Sequence, residues 1–448
     1  MSDVVRRRFE REFSSRTLEY LPGFRDPGGP IVVALGRDAH CEAGHVLATC
    51  LFNMLARAHR HVALYGPPDE PLRCRSPFAH RTLGEATIGL ARAINPYIVA
   101  DLGAPPVDGF VIGIGAAAQA DLRLGADGFI ATAGPHATLV NRPASVWGAL
   151  LAACMGAAAV FHRAAGSRGA ALRGEFSLWE FGASGGKDGP PDPGPLDVGR
   201  VLQAGAGAVG CGLDLALATI GLRGDWTIVD GDFVDITNLN RQSLFVAGDT
   251  GWPTGPATNK AETCARRLRS ATDVRLGASS RWYGEEPSVV DAPYDVILAL
   301  ANEHGVRGAL QARQPTMLLH ATTSTRWSAQ VHRHVSGHDD CIECRIQPEA
   351  PVMKCSTGTV SAAGESSDAS LPFLSMTAGV LLAAMLARLQ HDALMELPFN
   401  QVILDLAEPS PWQETVSASC IDGCRVRLPA ELRREIDATS RWLHLDAA

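Results

Sequence analysis

The sequence predicts an α/β protein built from two doubly wound domains, one plan used twice, with a cysteine-stapled segment at the C-terminal end. Three observations predict it. Short apolar runs alternate with helical patterns along the chain, five such elements recur in the same order in both halves, and only the second half opens a helix with a glycine-rich turn. Strands alternating with helices argue for a parallel sheet with crossover helices. Composition sets the bounds: of 448 residues, 46% are hydrophobic and 20% charged, which are globular values. Forty Lys+Arg against 48 Asp+Glu give 40 − 48 = −8, so neither nucleic acid nor an anionic membrane is expected as a partner.

The elements follow in order. A basic N-terminal helix carries Arg6, Arg7, Arg8, Arg11 and Arg16, and Ile31-Val-Val-Ala-Leu is the first strand. A helix over 42–58, the strand His61-Val-Ala-Leu-Tyr, and the strands Phe110-Val-Ile-Gly-Ile and Gly128-Phe-Ile-Ala-Thr come next. The Ala-rich stretch 146–161 is 16 residues, short of the roughly 20 a membrane span needs, and reads as a buried helix. These make a first domain over 1–181, and the Gly/Pro-rich 182–195 is a linker. The second domain, 196–448, repeats the plan: Val201-Leu-Gln-Ala, a helix over 209–220, Trp226-Thr-Ile-Val, Asp295-Val-Ile-Leu-Ala matching the Phe110 run, Met317-Leu-Leu-His-Ala matching the Gly128 run, and 373–389 matching 146–161. Eleven cysteines is an odd number and Met-Ser-Asp-Val-Val-Arg-Arg-Arg carries no secretory pattern. A cytoplasmic location is expected, with thiols or metal ligands rather than disulfides.

The halves differ in chemistry. Leu35-Gly36-Arg37-Asp38-Ala39-His40 places bulky polar side chains where a backbone would have to approach a phosphate, whereas Gly205-Ala-Gly207-Ala-Val-Gly210 follows a strand and opens a helix. Glycines there let amides close on a phosphate at a helix N-terminus. Asp230 ends the next strand, 230 − 205 = 25 residues on, where an acid binds ribose hydroxyls. By itself this Rossmann-like pattern reads as NAD binding or as a structural turn. The run that follows, with Asp232, Asn238, Arg241, Gln242 and Lys260, turns the reading toward ATP cleavage. Fixed cations stabilise charge growing on phosphates in the transition state. The plain alternative for Arg241 and Lys260 is a solvated surface pair.

This stretch resembles the ubiquitin-activating-enzyme and ThiF-MoeB-like adenylyltransferase superfamily, strongly over about 198–390 and as a degenerate copy before it. The resemblance implies a ribose role for Asp230 and places Asn238, Arg241, Gln242 and Lys260 around the phosphates. It implies attack by the C-terminal carboxylate of a small ubiquitin-like (β-grasp) protein on the α-phosphate of ATP, with Mg2+. The family's usual magnesium-binding Asp aligns with Asn302, a neutral and weaker ligand for a hard cation, followed by Glu303.

Cys341-Ile-Glu-Cys344 and Cys420-Ile-Asp-Gly-Cys424 are two knuckle-like pairs, 420 − 344 = 76 residues apart, fitting one tetrahedral structural Zn2+. Buried thiols and a redox pair are the alternatives. Cys355, in Lys354-Cys355-Ser356-Thr357-Gly358, sits on a small polar run, where a thiol beside a Lys is more reactive than one inside a helix. In the family the thioester-forming cysteine occupies this place. Cys41, Cys50, Cys74, Cys154, Cys211 and Cys264 read as incidental.

The degenerate first copy is similar to the architecture of ubiquitin-type activators, and the chain most resembles the activating enzyme of bacterial ubiquitin-like conjugation operons, the Bil type of antiphage defence. That implies transfer to a conjugating enzyme. A homodimer is admitted, as in the stand-alone sulfur-carrier enzymes, and with 448 − 424 = 24 residues after Cys424 no C-terminal ubiquitin-like domain is expected. The N-terminal arginines are candidates to reach the phosphates, or form a solvated face. Two readings from other classes stay open: a sulfur-carrier adenylyltransferase of thiamin or molybdopterin type, and an inactive scaffold binding a β-grasp protein.

Overall fold

The computed structural model describes residues 3–20, 24, 26, 29–103, 109–165, 173–183, 189–302, 304–324, 327–335, 337–345, 371–407, 412–424, 426, 429–439 and 442. Cys355 and Glu303 lie outside the described residues.

Two sheets repeat one topology. The first contains β1 (Ile31–Leu35), β2 (His61–Tyr65), β3 (Val99–Leu102), β4 (Phe110–Ile114), β5 (Leu122–Asp127), β6 (Ile130–Ala133) and β7 (Gly174–Ser177) in the order β3-β2-β1-β4-β5-β6-β7. The second contains β8 (Arg200–Ala204), β9 (Asp225–Val229), β10 (Arg275–Ser279), β11 (Val296–Ala299), β12 (Leu318–Thr323), β13 (Ser328–His334), β14 (Gln401–Asp405) and β15 (Trp412–Val416) in the order β10-β9-β8-β11-β12-β13-β14-β15. In each, the first five strands of the order pair in parallel and the remainder form an antiparallel meander. The sheets are thus parallel-rich rather than parallel throughout. The expected match between the Gly128 and Met317 runs is off by one strand. By position β12 corresponds to β5, and the Gly128 run holds β6, the counterpart of β13. β5 hides in sequence because Leu122-Arg-Leu-Gly-Ala-Asp breaks the apolar run with Arg, Gly and Asp.

The helices are α1 (Asp3–Tyr20), α2 (Glu42–Ala58), α3 (Leu90–Ile94, entered through a π-helical turn at Glu85–Gly89), α4 (Ser145–Ala164), α5 (Ala208–Ile220), α6 (Lys260–Ala271), α7 (Pro287–Val290), α8 (His304–Ala312), α9 (Ile342–Arg345), α10 (Pro372–Gln390) and α11 (Ala430–Thr439). α4 lies on β5 and β6, α10 lies on β12 and β13, and the two touch each other, so one apolar core runs through both halves. At 20 and 19 residues, α4 and α10 are long and apolar enough to cross a membrane. The expectation that 146–161 is too short therefore fails on length, but both helices are wholly buried inside the protein. α5 and α10 cross at two glycines: a Cβ on Gly379 would sit 2.2 Å from the Leu213 amide nitrogen, and one on Gly212 would sit 2.6 Å from the Ser375 carbonyl oxygen.

The first half's loop after β1 is plugged by its own chain. Asp38 accepts from the Ala116 amide at 2.7 Å and from the Leu139 amide at 3.0 Å, using up donors that an anion would need. That is the physical content of its degeneracy.

Candidate functional site

The loop from β8 into α5 carries the three glycines. Gly205 has φ +112, and a Cβ there would lie 2.6 Å from the Ala301 amide nitrogen, so only glycine lets the segment after β11 press against the turn. A Cβ on Gly210 would meet the Gly205 carbonyl oxygen at 2.5 Å, whereas Gly207 faces open space. The turn is therefore closed on the protein side and open on the other. Asn302, the residue after Ala301, is half-buried.

Asp230, at the end of β9, is fastened to this turn. Its Oδ2 accepts from the Ala206 amide at 2.7 Å and its Oδ1 from the Asp232 amide at 2.9 Å. Burial raises its pKa, against the pull of Lys260 and the two amides. Asn259 caps α6 by accepting from the Glu262 amide at 3.1 Å and donates to the Asp230 and Asp232 carbonyls, both at 2.9 Å. This sets Lys260 in the first turn of α6, 6% exposed, with Nζ 2.7 Å from Asp232 Oδ2. Burial opposes its charge, but the Asp230 and Asp232 carboxylates outweigh burial and lift its pKa, so it is a fixed cation.

Residues 236–242 close the site from the other side. A 3₁₀ turn at Ile236–Asn238 is capped reciprocally by Asp235 and Asn238, the Asp235 amide donating to Asn238 Oδ1 at 3.0 Å. Arg241, 6% exposed, donates to the Thr237 carbonyl at 2.7 Å and to Asn240 Oδ1 at 3.0 Å, and its charge is felt at Lys260. Gln242 is buried with Oε1 lacking a partner among the described residues. The structure thus brings together Gly205, Gly207, Gly210, Asp230, Asp232, Asn238, Arg241, Gln242, Lys260 and Asn302; Cys355 lies outside the described residues.

Sequence reasoning missed the supports. Arg57 of α2, from the first half, is 1% exposed and donates to the Leu239, Ser243 and Phe245 carbonyls at 2.6, 2.8 and 3.1 Å. Asn53, one turn earlier, adds a bond to the Ser243 carbonyl at 3.0 Å. The available signal was Asn53 and Arg57 at i and i+4 on an otherwise apolar helix. α1 lies against Ile236–Asn238, with Asn240 Nδ2 donating to Thr17 Oγ1 at 3.1 Å. Arg6 and Arg8 are paired with Glu10 and Glu12 at 2.9 and 3.0 Å.

Beneath the glycine turn, Gln203 donates to both the Gly205 carbonyl and Asp214 Oδ2 at 3.2 Å. Asp214 is fully buried, and desolvation pushes its pKa up to about 7 from 3.8, against the pull of Gln203 and Cys264. A raised carboxyl pKa means the native state holds a proton that the unfolded chain lacks between those values, so this group's contribution to stability falls as pH rises through that window. Asp214→Asn is expected to raise stability at pH 8 by up to about 4 kcal/mol and to have little effect near pH 4. Urea unfolding at both values checks this, and an equal gain at both contradicts it.

The four knuckle cysteines converge away from the glycine turn. The Sγ atoms of Cys341, Cys344, Cys420 and Cys424 all lie within 4.8 Å of one another, with Cys341 and Cys424 at 3.6 Å. Sulfurs sharing a tetrahedral zinc at about 2.3 Å stand about 3.8 Å apart, so the donor set fits structural zinc. The Cys341 amide donates to Cys420 Sγ at 3.1 Å, an outer-shell bond of the kind metal ligands use. Zinc here would tie the segment after β15 to α9. Of the remaining cysteines, Cys50, Cys74, Cys154 and Cys264 are driven by burial to raised pKa values, about 12 for Cys74 and Cys154, which disfavours the reactive thiolate.

Comparison with known proteins places residues 195–419 under the profile of the ThiF family. An uncharacterized protein, y4jF, of Sinorhizobium fredii is 28% identical over 335 residues, 71% of this chain and 60% of that protein. The NEDD8-activating enzyme E1 catalytic subunit of Arabidopsis thaliana is 43% identical over 72 residues, 16% of this chain and 14% of that protein. Among solved structures, Escherichia coli MccB with ATP superposes at a TM-score of 0.38 with 16% identity, covering 51% of this chain and 65% of that one. The chain spans less than two thirds of each of these three.

Proposed function

The chain belongs to the ThiF family, and from that premise we propose that it activates a ubiquitin-like protein. One observation carries the reading: a glycine turn open on its outer side is fastened to Asp230, whose charge acts on the buried Lys260, and a second buried cation, Arg241, is near enough for its charge to be felt at Lys260. A dinucleotide-binding site needs the turn and the acid but has no use for the cations. A carboxylate oxygen of the partner's C-terminus attacks the α-phosphorus, the bond to the bridging oxygen breaks, and pyrophosphate leaves with charge that Lys260 and Arg241 neutralise. Gly205, Gly207, Gly210, Asp232, Asn238, Gln242 and Asn302 complete the nucleotide contacts, with Mg2+ arriving on ATP. The Cys355 thiolate then attacks the acyl carbon, AMP departs, and the thioester passes to a conjugating enzyme in bacterial antiviral defence.

The test combines the full chain, ATP, magnesium and a candidate ubiquitin-like partner, followed by intact-mass analysis and non-reducing gels. A thiol-reducible adduct is expected that vanishes in Cys355→Ala while ATP–pyrophosphate exchange persists. Exchange lost in that variant, or an adduct unchanged, refutes the thioester step. A persulfide on Cys355 in place of an acyl adduct converts the assignment to sulfur-carrier chemistry.

A further inference from the structure

We propose that His320, His332 and His334 form a second, buried site for one divalent transition ion, with zinc favoured by the donor set. β12 and β13 pair antiparallel with His320 directly opposite His332, and His334 lies two residues along on the same face. The rings of His320 and His332 are 5.1 Å apart, and those of His332 and His334 are 5.9 Å apart and nearly parallel. One nitrogen from each lies within 4.8 Å of the others, a gap that side-chain rotation closes to the about 3.3 Å of nitrogens sharing a zinc.

The case rests on what these rings lack. All three are buried, at 0%, 2% and 1% exposure. Both ring nitrogens of His320, both of His332 and Nε2 of His334 have no hydrogen-bonding partner among the described residues. A neutral imidazole always carries one N–H, and leaving a buried polar group unpaired costs about 1–3 kcal/mol. Three neighbouring rings with five unpartnered nitrogens make poor filler for a core, and a shared ion answers one acceptor nitrogen on each at once. Protonation does not answer them. Burial holds all three pKa values down, reinforced at His320 by Arg307 and at His332 by His334 and Arg345. Neutral imidazole is the form that binds metal.

The outer shell is partly built. His334 Nδ1 lies 2.9 Å from the Asp340 carbonyl oxygen, which selects Nδ1–H as donor and leaves the Nε2 lone pair for an ion. Arg345 and Arg333 near the cluster are paired with carboxylates, Arg345 with Asp340 at 2.7 Å and Arg333 with Asp339 at 2.9 Å, and Arg307 donates to the Ala301 carbonyl at 2.8 Å. A cleft of about 170 Å³ is lined by His334, Asp340, Cys341 and Cys420, so one histidine of the trio borders the same cleft as the cysteine set. Three protein nitrogens leave the fourth position of a tetrahedral zinc to a water. The ion would cross-link β12 to β13.

Zinc content of the full chain, equilibrated with zinc and desalted, tests this by elemental mass spectrometry. About two zinc per chain are expected, falling to about one in His332→Gln and also in Cys341→Ser/Cys344→Ser, the two losses being independent. X-ray absorption of the wild-type zinc, which needs no variant to fold, is expected to show a mixed nitrogen and sulfur shell. About one zinc in the wild type with an all-sulfur shell overturns the proposal, as does an undiminished content in folded His332→Gln.

Discussion

Lys260→Ala is expected to lower ATP–pyrophosphate exchange by about 10²–10³-fold, the range seen when one preorganised charge stabiliser is taken from a transition state. The reasoning starts from burial. Lys260 is 6% exposed, held by Asp232 at 2.7 Å and lifted in pKa by Asp230 and Asp232, so it is a charge fixed in place before any ligand arrives. A fixed cation needs no reorganisation when pyrophosphate begins to leave, which separates it from a surface lysine. The same variant strips Asp230 and Asp232 of their cation, so some loss could come from two uncompensated carboxylates. Asp232→Asn in the Lys260→Ala background removes that repulsion. It is expected to recover thermal stability without recovering exchange. Recovery of exchange in the double variant would place Lys260 as a structural counter-ion, and exchange within about threefold of wild type in the single variant would remove it from the ATP site.

How far the sequence carried this site depends on how local each determinant is. Gly205, Gly207 and Gly210 were legible because a strand, a tight turn and a helix start are written within ten residues, and the structure supplies the reason for each: Ala301 against Gly205, the Gly205 carbonyl against Gly210, open space at Gly207. The cysteine cluster was legible because each pair is local, although its convergence across the fold is not. β3 and β10 escaped notice as edge strands whose burial does not alternate clearly. The histidine trio was invisible for a related cause: His320 and His332 become neighbours only through the cross-strand register of β12 and β13. Asp38 stood in a loop already read as unfit for phosphate, but its capture of the Ala116 and Leu139 amides depends on partners 78 and 101 residues away.

Arg57 is the extreme case of a distant determinant. Arg57→Leu is expected to destabilise the protein by about 3 kcal/mol or more and to weaken ATP use with it. Its guanidinium sits in the apolar interface between the halves, where burial pulls its pKa down to about 9, still charged at neutral pH. Among the described residues its hydrogen-bond partners are no carboxylate but three carbonyls, of Leu239, Ser243 and Phe245, and Asn53 Oδ1 at 2.8 Å. Those carbonyls flank Arg241 and Gln242, so the plugged first half holds the 239–245 loop of the second chiefly through Arg57, with Asn53 and Thr17 adding one bond each. Leucine, shorter and without donors, strands the Leu239 and Phe245 carbonyls in a dry interface and leaves the Ser243 carbonyl only its bond from Asn53. Lysine keeps the charge but has no planar fork to span carbonyls from three residues, so Arg57→Lys is expected to fold and yet raise the KM for ATP about tenfold, the cost of roughly 1.4 kcal/mol in loop positioning. Unfolding in urea and exchange kinetics separate the two effects. Wild-type KM in Arg57→Lys, together with wild-type stability in Arg57→Leu, would mean that the second half shapes its own phosphate loop and that the first copy is retained for some other purpose.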